Sequence, residues 1–258
     1  RISFEVYPPR KPGDTPKLHE AILRLSELSP EFISVTFGAG GSSTRDSLSV
    51  LKFIRDNSHA SPLAHLTCVG TTEQDAKTLV REFLEEGIVD FLALRGDLPE
   101  GESSLPSGAL SRADQLVNLI SEIRPSDTGR TAVAAFPNGH PESGSDRSDI
   151  AALLAKQEAG ANFAITQLFF FTEDYLSFVE LARARGVEID LIPGIMPIVS
   201  ASRLARVLEL TGEARPEALA RSLESADDAV ARSEAGIEWA AKQVSELAEA
   251  GVDAVHLY

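Results

Sequence analysis

The repeating unit of this chain is clearest in residues 63–95, which read LAHLTCVGTTEQDAKTLVREFLEEGIVDFLALR. Two nearly continuous apolar runs, 63–69 and 88–95, flank a segment whose apolar residues recur at helical spacing. Residues 71–74, TTEQ, form a capping box that predicts where the helix begins, and Gly87 predicts where it ends. Such apolar runs are typical of parallel strands that are covered on both faces. The stretch therefore predicts two parallel strands joined by a helix.

The same alternation of strand and helix continues along the whole chain. Eight segments have the composition of strands, namely 2–7, 32–37, 63–69, 88–95, 131–136, 163–169, 188–195 and 254–258. The 258 residues divide into eight units of about 32 residues, which matches the usual size of a (β/α)8 barrel, roughly 250 residues. We therefore predict an α/β protein with a single (β/α)8 TIM barrel over residues 1–258.

An open, doubly wound sheet is the alternative fold. Such a sheet usually carries a glycine-rich turn after its first strand, whereas the first strand here continues into Tyr7-Pro8-Pro9-Arg10. The last strand ends at Tyr258, so we expect the eighth helix of the barrel to be missing from this chain.

Composition excludes several classes of protein. The chain has 39 acidic and 24 basic residues and a formal net charge of −15, which argues against a nucleic-acid-binding surface. It has no apolar run of about 18 residues, which a membrane-spanning helix would need. Its single cysteine, Cys68, excludes an internal disulfide and favours a reducing compartment. We predict a cytoplasmic protein that binds small molecules, and the sequence leaves open whether it forms a homo-oligomer.

A carboxylate stands in the middle of the first predicted strand. Glu5 lies between Phe4 and Val6, and strand alternation points it to the same side as Ser3 and Tyr7. Burying a carboxylate is costly unless it is paired or protonated, and a raised pKa suits a general acid. A structural ion pair between Glu5 and a neighbouring lysine or arginine is the alternative interpretation.

Two other strands lead into polar residues, at the end of a (β/α)8 barrel where ligands bind. The fourth strand continues into Arg95, Gly96 and Asp97, where the glycine would let the backbone approach a ligand, although a solvated turn has the same pattern. The sixth strand presents Gln167 beside the aromatic residues 169–171, a combination that suits a flat heterocycle. Taken alone, the aromatic residues are more typical of a core.

Other kinds of site find less support in the sequence. The spacing of His65, Cys68, His140 and Glu142 matches no zinc motif, so we predict no metal. No Gly-x-Ser-x-Gly elbow, P-loop or Cys-x-x-Cys motif occurs either. Catalysis would therefore depend on carboxylates, an amide and a bound cofactor.

Taken together and in order, several segments resemble the methylenetetrahydrofolate reductase family. The matching segments are SFE at 3–5 with PPR at 8–10, SVTFGAG at 34–40, HLTC at 65–68, ALRGD at 93–97, GHPE at 139–142, AGAN at 159–162, AITQ at 164–167, PGI at 193–195 and HLY at 256–258. The resemblance implies a (β/α)8 barrel that reduces 5,10-methylenetetrahydrofolate to 5-methyltetrahydrofolate. It also implies NADH or NADPH as the hydride donor and a bound FAD through which the hydride passes.

The resemblance assigns three catalytic residues. Glu5 resembles the family's general acid, which helps to open the imidazolidine ring to the reactive iminium. Asp97 resembles the carboxylate near both flavin and pterin, where a negative charge would stabilise the iminium. Gln167 resembles the amide that contacts the folate, and also the nicotinamide when that occupies the same face.

The resemblance also implies residues that bind the ligands. Thr36 is expected to help seat the nicotinamide, and the positions that correspond to FAD binding are Ala39, His65, Arg95, Gly96, Asp97, Phe136, His140, Asp149 and Lys156. Three of these, Arg95, His140 and Lys156, would supply local positive charge for a pyrophosphate. Asp97 and Gln167 are expected to bind the substrate, and Arg203 either pairs with the glutamate of the folate or is a surface charge.

Departures from the family pattern keep alternatives open. Phe37 and Phe136 stand where many members have tyrosine or another polar aromatic residue, so hydroxyl contacts to the flavin are lost. One alternative is a flavin-independent reductase, in which hydride passes directly from NADH to methylenetetrahydrofolate. The others are a non-catalytic barrel that binds folate or flavin, and an enzyme for a phosphorylated metabolite. The sequence PGIMP at 193–197 disfavours the latter, because it provides no glycine-rich phosphate loop after strand seven.

Overall fold

The computed structural model describes residues 1–9, 11–37, 44–96, 108–139 and 146–258. Within these ranges the strands are β1 (Ile2–Val6), β2 (Phe32–Val35), β3 (Ser61–Thr67), β4 (Asp90–Leu94), β5 (Thr131–Ala135), β6 (Phe163–Thr166), β7 (Asp190–Ile192), β8 (Gly194–Ile195) and β9 (Val255–Leu257). The helices are α1 (Thr15–Ser26), α2 (Thr44–Asn57), α3 (Glu73–Glu85), α4 (Ala113–Ile123), α5 (Asp146–Glu158), α6 (Thr172–Ala184), α7 (Ala201–Thr211), α8 (Glu217–Ser225) and α9 (Ala229–Glu249). Strands and helices alternate as predicted as far as β7.

These strands form one parallel sheet that curves into a barrel. Their order is β7-β6-β5-β4-β3-β2-β1-β9-β8. β7 and β8 together correspond to the predicted strand 188–195, and Pro193 separates them. Because β7 pairs with β6 and β8 pairs with β9, this one segment closes the barrel. The (β/α)8 TIM barrel predicted from the sequence is confirmed.

The break in the seventh strand follows from Pro193. Proline has no N–H to donate to a neighbouring strand, so it interrupts the ladder. Its carbonyl still accepts a hydrogen bond from the His256 N–H at 2.9 Å. A Cβ at Gly194 would stand 2.3 Å from the Thr166 carbonyl oxygen and 2.5 Å from the Tyr258 ring. Only glycine fits there, which allows β6 and the end of β9 to approach closely.

The unit of residues 63–95 has the structure that its sequence predicts. β3 and β4 pair in parallel, and α3 connects them. α3 begins after Thr72, whose hydroxyl oxygen accepts a hydrogen bond from the Asp75 N–H at 3.1 Å. Gly87 follows the helix with φ +73°, a conformation that favours glycine. Local capping therefore sets both ends of this helix.

The core has two parts. The larger part lies between the sheet and the helices. Inside the barrel, a second group, called here the inner apolar cluster, contains Phe32, Leu63, Leu92, Ala132, Phe163, Ile165, Ile192 and Ala254. Phe32 and Phe163 are the first residues of their strands, whereas inward-facing polar residues follow later along β1, β2 and β3. The polar part of the interior therefore lies toward the carboxyl ends of these strands.

The last crossover differs from the preceding ones. It contains three helices, α7 to α9, between β8 and β9. A Cβ at Gly236 on α9 would stand 2.1 Å from the Ile198 carbonyl oxygen, so α9 packs closely on the segment after β8. None of the helices in the described residues is long and apolar enough to cross a membrane.

Candidate active site

Glu5 lies inside the barrel, where strand alternation predicts it. Its side chain is 8% exposed, and its strand partner on β2 is Ser34. Burial raises the pKa of Glu5 to about 7, against the opposing effect of the Tyr7 and Ser34 hydroxyls. A carboxyl with this pKa is present as the acid in a large fraction of molecules near neutral pH. Glu5 can therefore donate a proton under those conditions.

His65 on β3 is the neighbour of Glu5 across the barrel interior. Its Nε2 lies 3.4 Å from Glu5 Oε2, and its side chain is 7% exposed. Burial lowers the pKa of His65 to about 3, so the imidazole is neutral near pH 7. Within the described ranges, no lysine or arginine forms a salt bridge with Glu5. The contacts of the described residues thus give no support to a structural ion pair at Glu5.

Three further polar residues belong to the same interior, and sequence reasoning gave them no role at the site. Ser3 Oγ lies 2.9 Å from His256 Nδ1, and the Tyr258 hydroxyl donates to the Thr166 carbonyl oxygen at 2.6 Å. Burial of its hydroxyl raises the pKa of Tyr258, and the charge of Glu5 contributes to the same shift. Alternation along β1 already indicated that Ser3 faces Glu5's side of the strand. The pairing of β1 with β9, which brings in His256 and Tyr258, has no local sequence signal.

Tyr7 and Arg203 lie at the mouth of the barrel. Tyr7 is 49% exposed. Burial of its hydroxyl and the charge of Glu5 raise the pKa of Tyr7 to about 12, and the Arg203 guanidinium opposes this shift. Arg203 is exposed on the first turn of α7, so the structure brings a positive charge near Tyr7.

Gln167 follows β6 and lies on the wall of a small cavity of about 30 Å³. This cavity is also lined by Phe136 and Asn138 of the segment after β5, and by Glu213 after α7. The Leu168 N–H donates to Gln167 Oε1 at 2.9 Å, so the Gln167 oxygen faces the backbone and the NH2 group is the donor of this amide.

A larger cavity of about 220 Å³ lies beside the first, between the segment after β5 and α6. Phe136 lines both cavities, and Asp149 on α5 lines the larger one. Lys156 on α5 donates from Nζ to the Ala134 carbonyl oxygen at 2.8 Å. Burial lowers the pKa of Lys156 to about 8, against the charges of Asp149 and Asp114, so the ammonium group remains largely protonated near pH 7.

The remaining predicted site residues in the described ranges follow β4 and β2. The Arg95 carbonyl oxygen accepts from the Val69 N–H at 2.8 Å. Gly96 has φ +80°, and a Cβ there would stand 3.0 Å from Thr67 Cβ, so the position requires glycine. Thr36 is buried, and its Oγ1 has no hydrogen-bond partner among the described residues.

The predicted site residues therefore form two described groups. Glu5, His65 and Arg203 gather around the interior and mouth near β1, whereas Phe136, Gln167, Asp149 and Lys156 line the side formed by β5, β6 and α5. The contacts of the described residues do not join the two groups directly. Ala39, Asp97 and His140 lie outside the described residues. Within the described ranges, no group of three or more His, Cys, Asp or Glu side chains is arranged to hold a metal.

Comparison with known proteins gives a consistent result along the whole chain. Residues 1–258 match the sequence model of a family described as methylenetetrahydrofolate reductase. The 5,10-methylenetetrahydrofolate reductase of Escherichia coli (strain K12) is 36% identical over 258 residues, which cover 100% of this chain and 85% of that protein. The Arabidopsis thaliana protein named methylenetetrahydrofolate reductase (NADH) 1 is 31% identical over 269 residues, covering 100% of this chain and 45% of the plant protein.

Solved structures support the barrel fold. A protein from Clostridium thermocellum described as binding two copies of 5-methyl-5,6,7,8-tetrahydrofolic acid superposes with a TM-score of 0.63 at 12% identity, over 99% of this chain and 87% of that chain. A phosphonopyruvate hydrolase superposes with a TM-score of 0.55 at 12% identity, over 74% of this chain and 66% of that chain. At this level of identity the likeness concerns the fold alone.

Proposed function

Because the chain belongs to the methylenetetrahydrofolate reductase family, we propose that it reduces 5,10-methylenetetrahydrofolate to 5-methyltetrahydrofolate with NADH or NADPH, with Glu5 as the general acid. Because the family consists of reductases, an enzyme is favoured over the alternative of a non-catalytic barrel that binds folate or flavin. The observation that carries the role of Glu5 is its enclosed position inside the barrel, where burial raises its pKa to about 7.

The reaction adds one hydride and one proton to the substrate. In the proposed first step, the Glu5 carboxylic acid gives its proton to the nitrogen that leaves the one-carbon unit as the imidazolidine ring opens. The C–N bond breaks toward that nitrogen, and an iminium remains on the other nitrogen. Hydride then adds to the iminium carbon and forms the methyl group, while NADH or NADPH is oxidised overall. Glu5 regains its proton from solvent.

A negative charge near the iminium would favour the first step. By its resemblance to the family, Asp97 is proposed for this role, because a carboxylate stabilises a cation that forms beside it. Gln167 is proposed to hold the folate and, in turn, the nicotinamide. Because Gln167 Oε1 accepts from the Leu168 N–H, we expect its NH2 group to be the part that binds the ligand.

We also propose that the residues on the β4, β5 and α5 side hold FAD. Bound FAD would accept hydride from NADH or NADPH and pass it to the folate. The residues present are compatible with a bound cofactor, because the buried Thr36 Oγ1 lacks a partner within the described ranges. Lys156 stays largely protonated near pH 7, which suits a pyrophosphate. Arg203 is proposed to attract the anionic glutamate of the folate at the barrel mouth.

Glu5→Gln tests the proposed acid, because the amide keeps the shape of the side chain but cannot donate a proton in the same way. We expect methylenetetrahydrofolate-dependent NADH oxidation to slow by about 10²–10⁴-fold in kcat. Glu20→Gln is the matched control, because Glu20 is exposed on α1, and its kcat should equal that of the wild type. An unchanged kcat in Glu5→Gln would show that Glu5 is not the acid.

The visible spectrum of the purified protein tests the cofactor. A flavin spectrum at one FAD per chain would support hydride transfer through FAD. Phe136 lines both cavities without offering a hydroxyl, so direct transfer from NADH is the second candidate. A colourless preparation that is fully active without added FAD would decide for direct transfer.

A further inference from the structure

Three buried polar atoms inside the barrel have no hydrogen-bond partner among the described residues. They are Ser34 Oγ, His65 Nε2 and His256 Nε2. The three residues lie on β2, β3 and β9, and none of them is more than 6% exposed. Buried polar atoms in proteins are nearly always hydrogen-bonded, either to protein or to ordered water. The Glu5 carboxyl lies close to Ser34 Oγ and His65 Nε2 without forming a hydrogen bond of good geometry with either, so all three atoms can still take a partner from outside the protein.

The three residues lie close to Glu5 or to Ser3, its inward-facing neighbour on β1. Ser34 is the partner of Glu5 in the register of β1 and β2. His65 Nε2 lies 3.4 Å from Glu5 Oε2. His256 contacts Ser3, the inward-facing residue that precedes Glu5 on β1, at 2.9 Å. The two imidazoles are close enough for His65 to lower the pKa of His256.

The contacts of Ser3 indicate what His256 offers to a partner. The Ser3 hydroxyl donates to the Val255 carbonyl oxygen at 3.2 Å, so it acts as the acceptor for His256 Nδ1–H. In a neutral imidazole Nε2 is then an acceptor, and the Ser34 hydroxyl can donate or accept. A water molecule can bridge such a set, because a buried water typically makes two to four hydrogen bonds.

We propose that Ser34, His65 and His256 form an internal water site on the inner side of Glu5, and that the bound water fixes the inner carboxyl oxygen while the outer oxygen presents the acid proton to the barrel mouth. The proposal rests on the proposed role of Glu5 as general acid. Ser34, His65 and His256 are positioning residues in this arrangement, because they act on the reaction through Glu5.

The charges around the site are consistent with this role. Burial lowers the pKa values of His65 and His256 to about 3, so neither imidazole is a cation that would draw the proton from Glu5 near pH 7. Within the described ranges, two other titratable groups interact with Glu5, namely Tyr7 and Tyr258. Arg203 acts on Tyr7. A change confined to the Ser34 hydroxyl leaves all of these groups in place.

A high-resolution crystal structure of the holoenzyme tests the water site itself. We expect ordered water within about 2.7–3.2 Å of at least two of the three atoms. Pairing of the three atoms with one another or with other protein groups, without water, would overturn the proposal. This measurement is independent of activity, so it does not depend on whether Glu5 is the acid.

Ser34→Ala tests the positioning role in solution. The Ser34 hydroxyl lowers the pKa of Glu5, so its removal should move the alkaline limb of the kcat profile to higher pH. We expect kcat to fall about fivefold, the effect of one ordinary hydrogen bond, with KM nearly unchanged. Ser34→Thr retains a hydroxyl and should restore the wild-type limb.

Trp239→Phe is the matched control, because it removes another buried atom without a partner in the described residues, Nε1, in the cluster formed by α7 to α9. Its pH profile should equal that of the wild type.

An alkaline limb that does not move in Ser34→Ala would refute the positioning role. If Glu5→Gln is inactive while Ser34→Ala has the wild-type profile, the proposed function stands and the water site loses its role. If Glu5→Gln is fully active, the proposed function fails first.

Discussion

The two ends of the barrel interior are built from opposite kinds of side chain. Toward the start of the strands, Phe32 and Phe163 are buried with ring centroids 5.5 Å apart in the inner apolar cluster. Farther along the strands, Glu5, His65 and Ser34 are enclosed to a similar degree although they are polar. Burial therefore has two effects. It stabilises the fold in the apolar part, and it changes the protonation of side chains in the polar part.

The two parts also contribute to stability with opposite sign. Burying a large apolar side chain stabilises a fold by about 1.5–3 kcal/mol. A buried polar group without a partner costs about 1–3 kcal/mol. The inner apolar cluster thus offsets the cost of the polar part, and changes in each part should be separable by experiment.

The largest expected effect comes from breaking the apolar part. Phe163→Ala removes a ring that is buried at 4% exposure, and the cavity that remains should lower the free energy of unfolding by about 3–5 kcal/mol. Urea unfolding at pH 7 measures this loss. Leu28→Ala is the control, because Leu28 is 60% exposed and should change stability by less than about 0.5 kcal/mol. A loss in Phe163→Ala as small as that of the control would contradict the prediction.

A smaller effect should come from acidifying the polar part. The pKa values of His65 and His256 are about 3 in the fold, against about 6.5 in an unfolded chain, so the unfolded state binds protons first. Stability contributed by neutral imidazoles is complete above pH 6.5 and is lost as the pH falls toward 3. Between pH 7 and pH 5, each imidazole should reduce the free energy of unfolding by about 2 kcal/mol.

Urea unfolding at both pH values, in the wild type and in His256→Gln, measures this contribution. The variant should lose about 2 kcal/mol less than the wild type between pH 7 and pH 5. His59→Gln is the matched control, because His59 is exposed in the connection before β3. Identical losses in His256→Gln and the wild type would speak against a buried, neutral His256.

The smallest of the three effects concerns the acid itself. Glu5 donates a proton only in its protonated form, and its pKa is raised to about 7, so kcat should fall as the pH rises above that value. At pH 8 we expect about one tenth of the rate at pH 6, which corresponds to about 1.4 kcal/mol in the activation free energy. Initial rates at saturating NADH and folate between pH 5.5 and 9 measure the profile. A flat profile over this range would place the proton donor elsewhere.

The sequence predicts the repeating architecture well because its signals are local. The apolar runs, the Thr72 cap and Gly87 determine β3, α3 and β4 through contacts between near neighbours. The division of strand seven at Pro193 is a different case. A proline can end a strand, lie at its edge or interrupt it, and only the pairing of β7 with β6 and β8 with β9 decides between these outcomes.

Part of the candidate site could also be predicted. A carboxylate at position 5 in an apolar strand indicates an unusual protonation, and the structure encloses Glu5 accordingly. Alternation fixes the face of a strand but not the height of a residue in the barrel, so it cannot show that His65 approaches Glu5. Nor does it bring Ser3 to His256, because that contact depends on the closure of the barrel.

The pairing of β1 with β9 has a consequence for the time course of folding. Ser3 and His256 are 253 positions apart, so Glu5 leaves the ribosome well before its neighbours on β9 exist. At a synthesis rate of roughly 5–20 residues per second, the delay is roughly 13–50 seconds. During that interval one edge of β1 has no strand beside it, and an unpaired edge invites aggregation. The β1 edge that β9 covers is therefore completed only when the end of this sequence has been made.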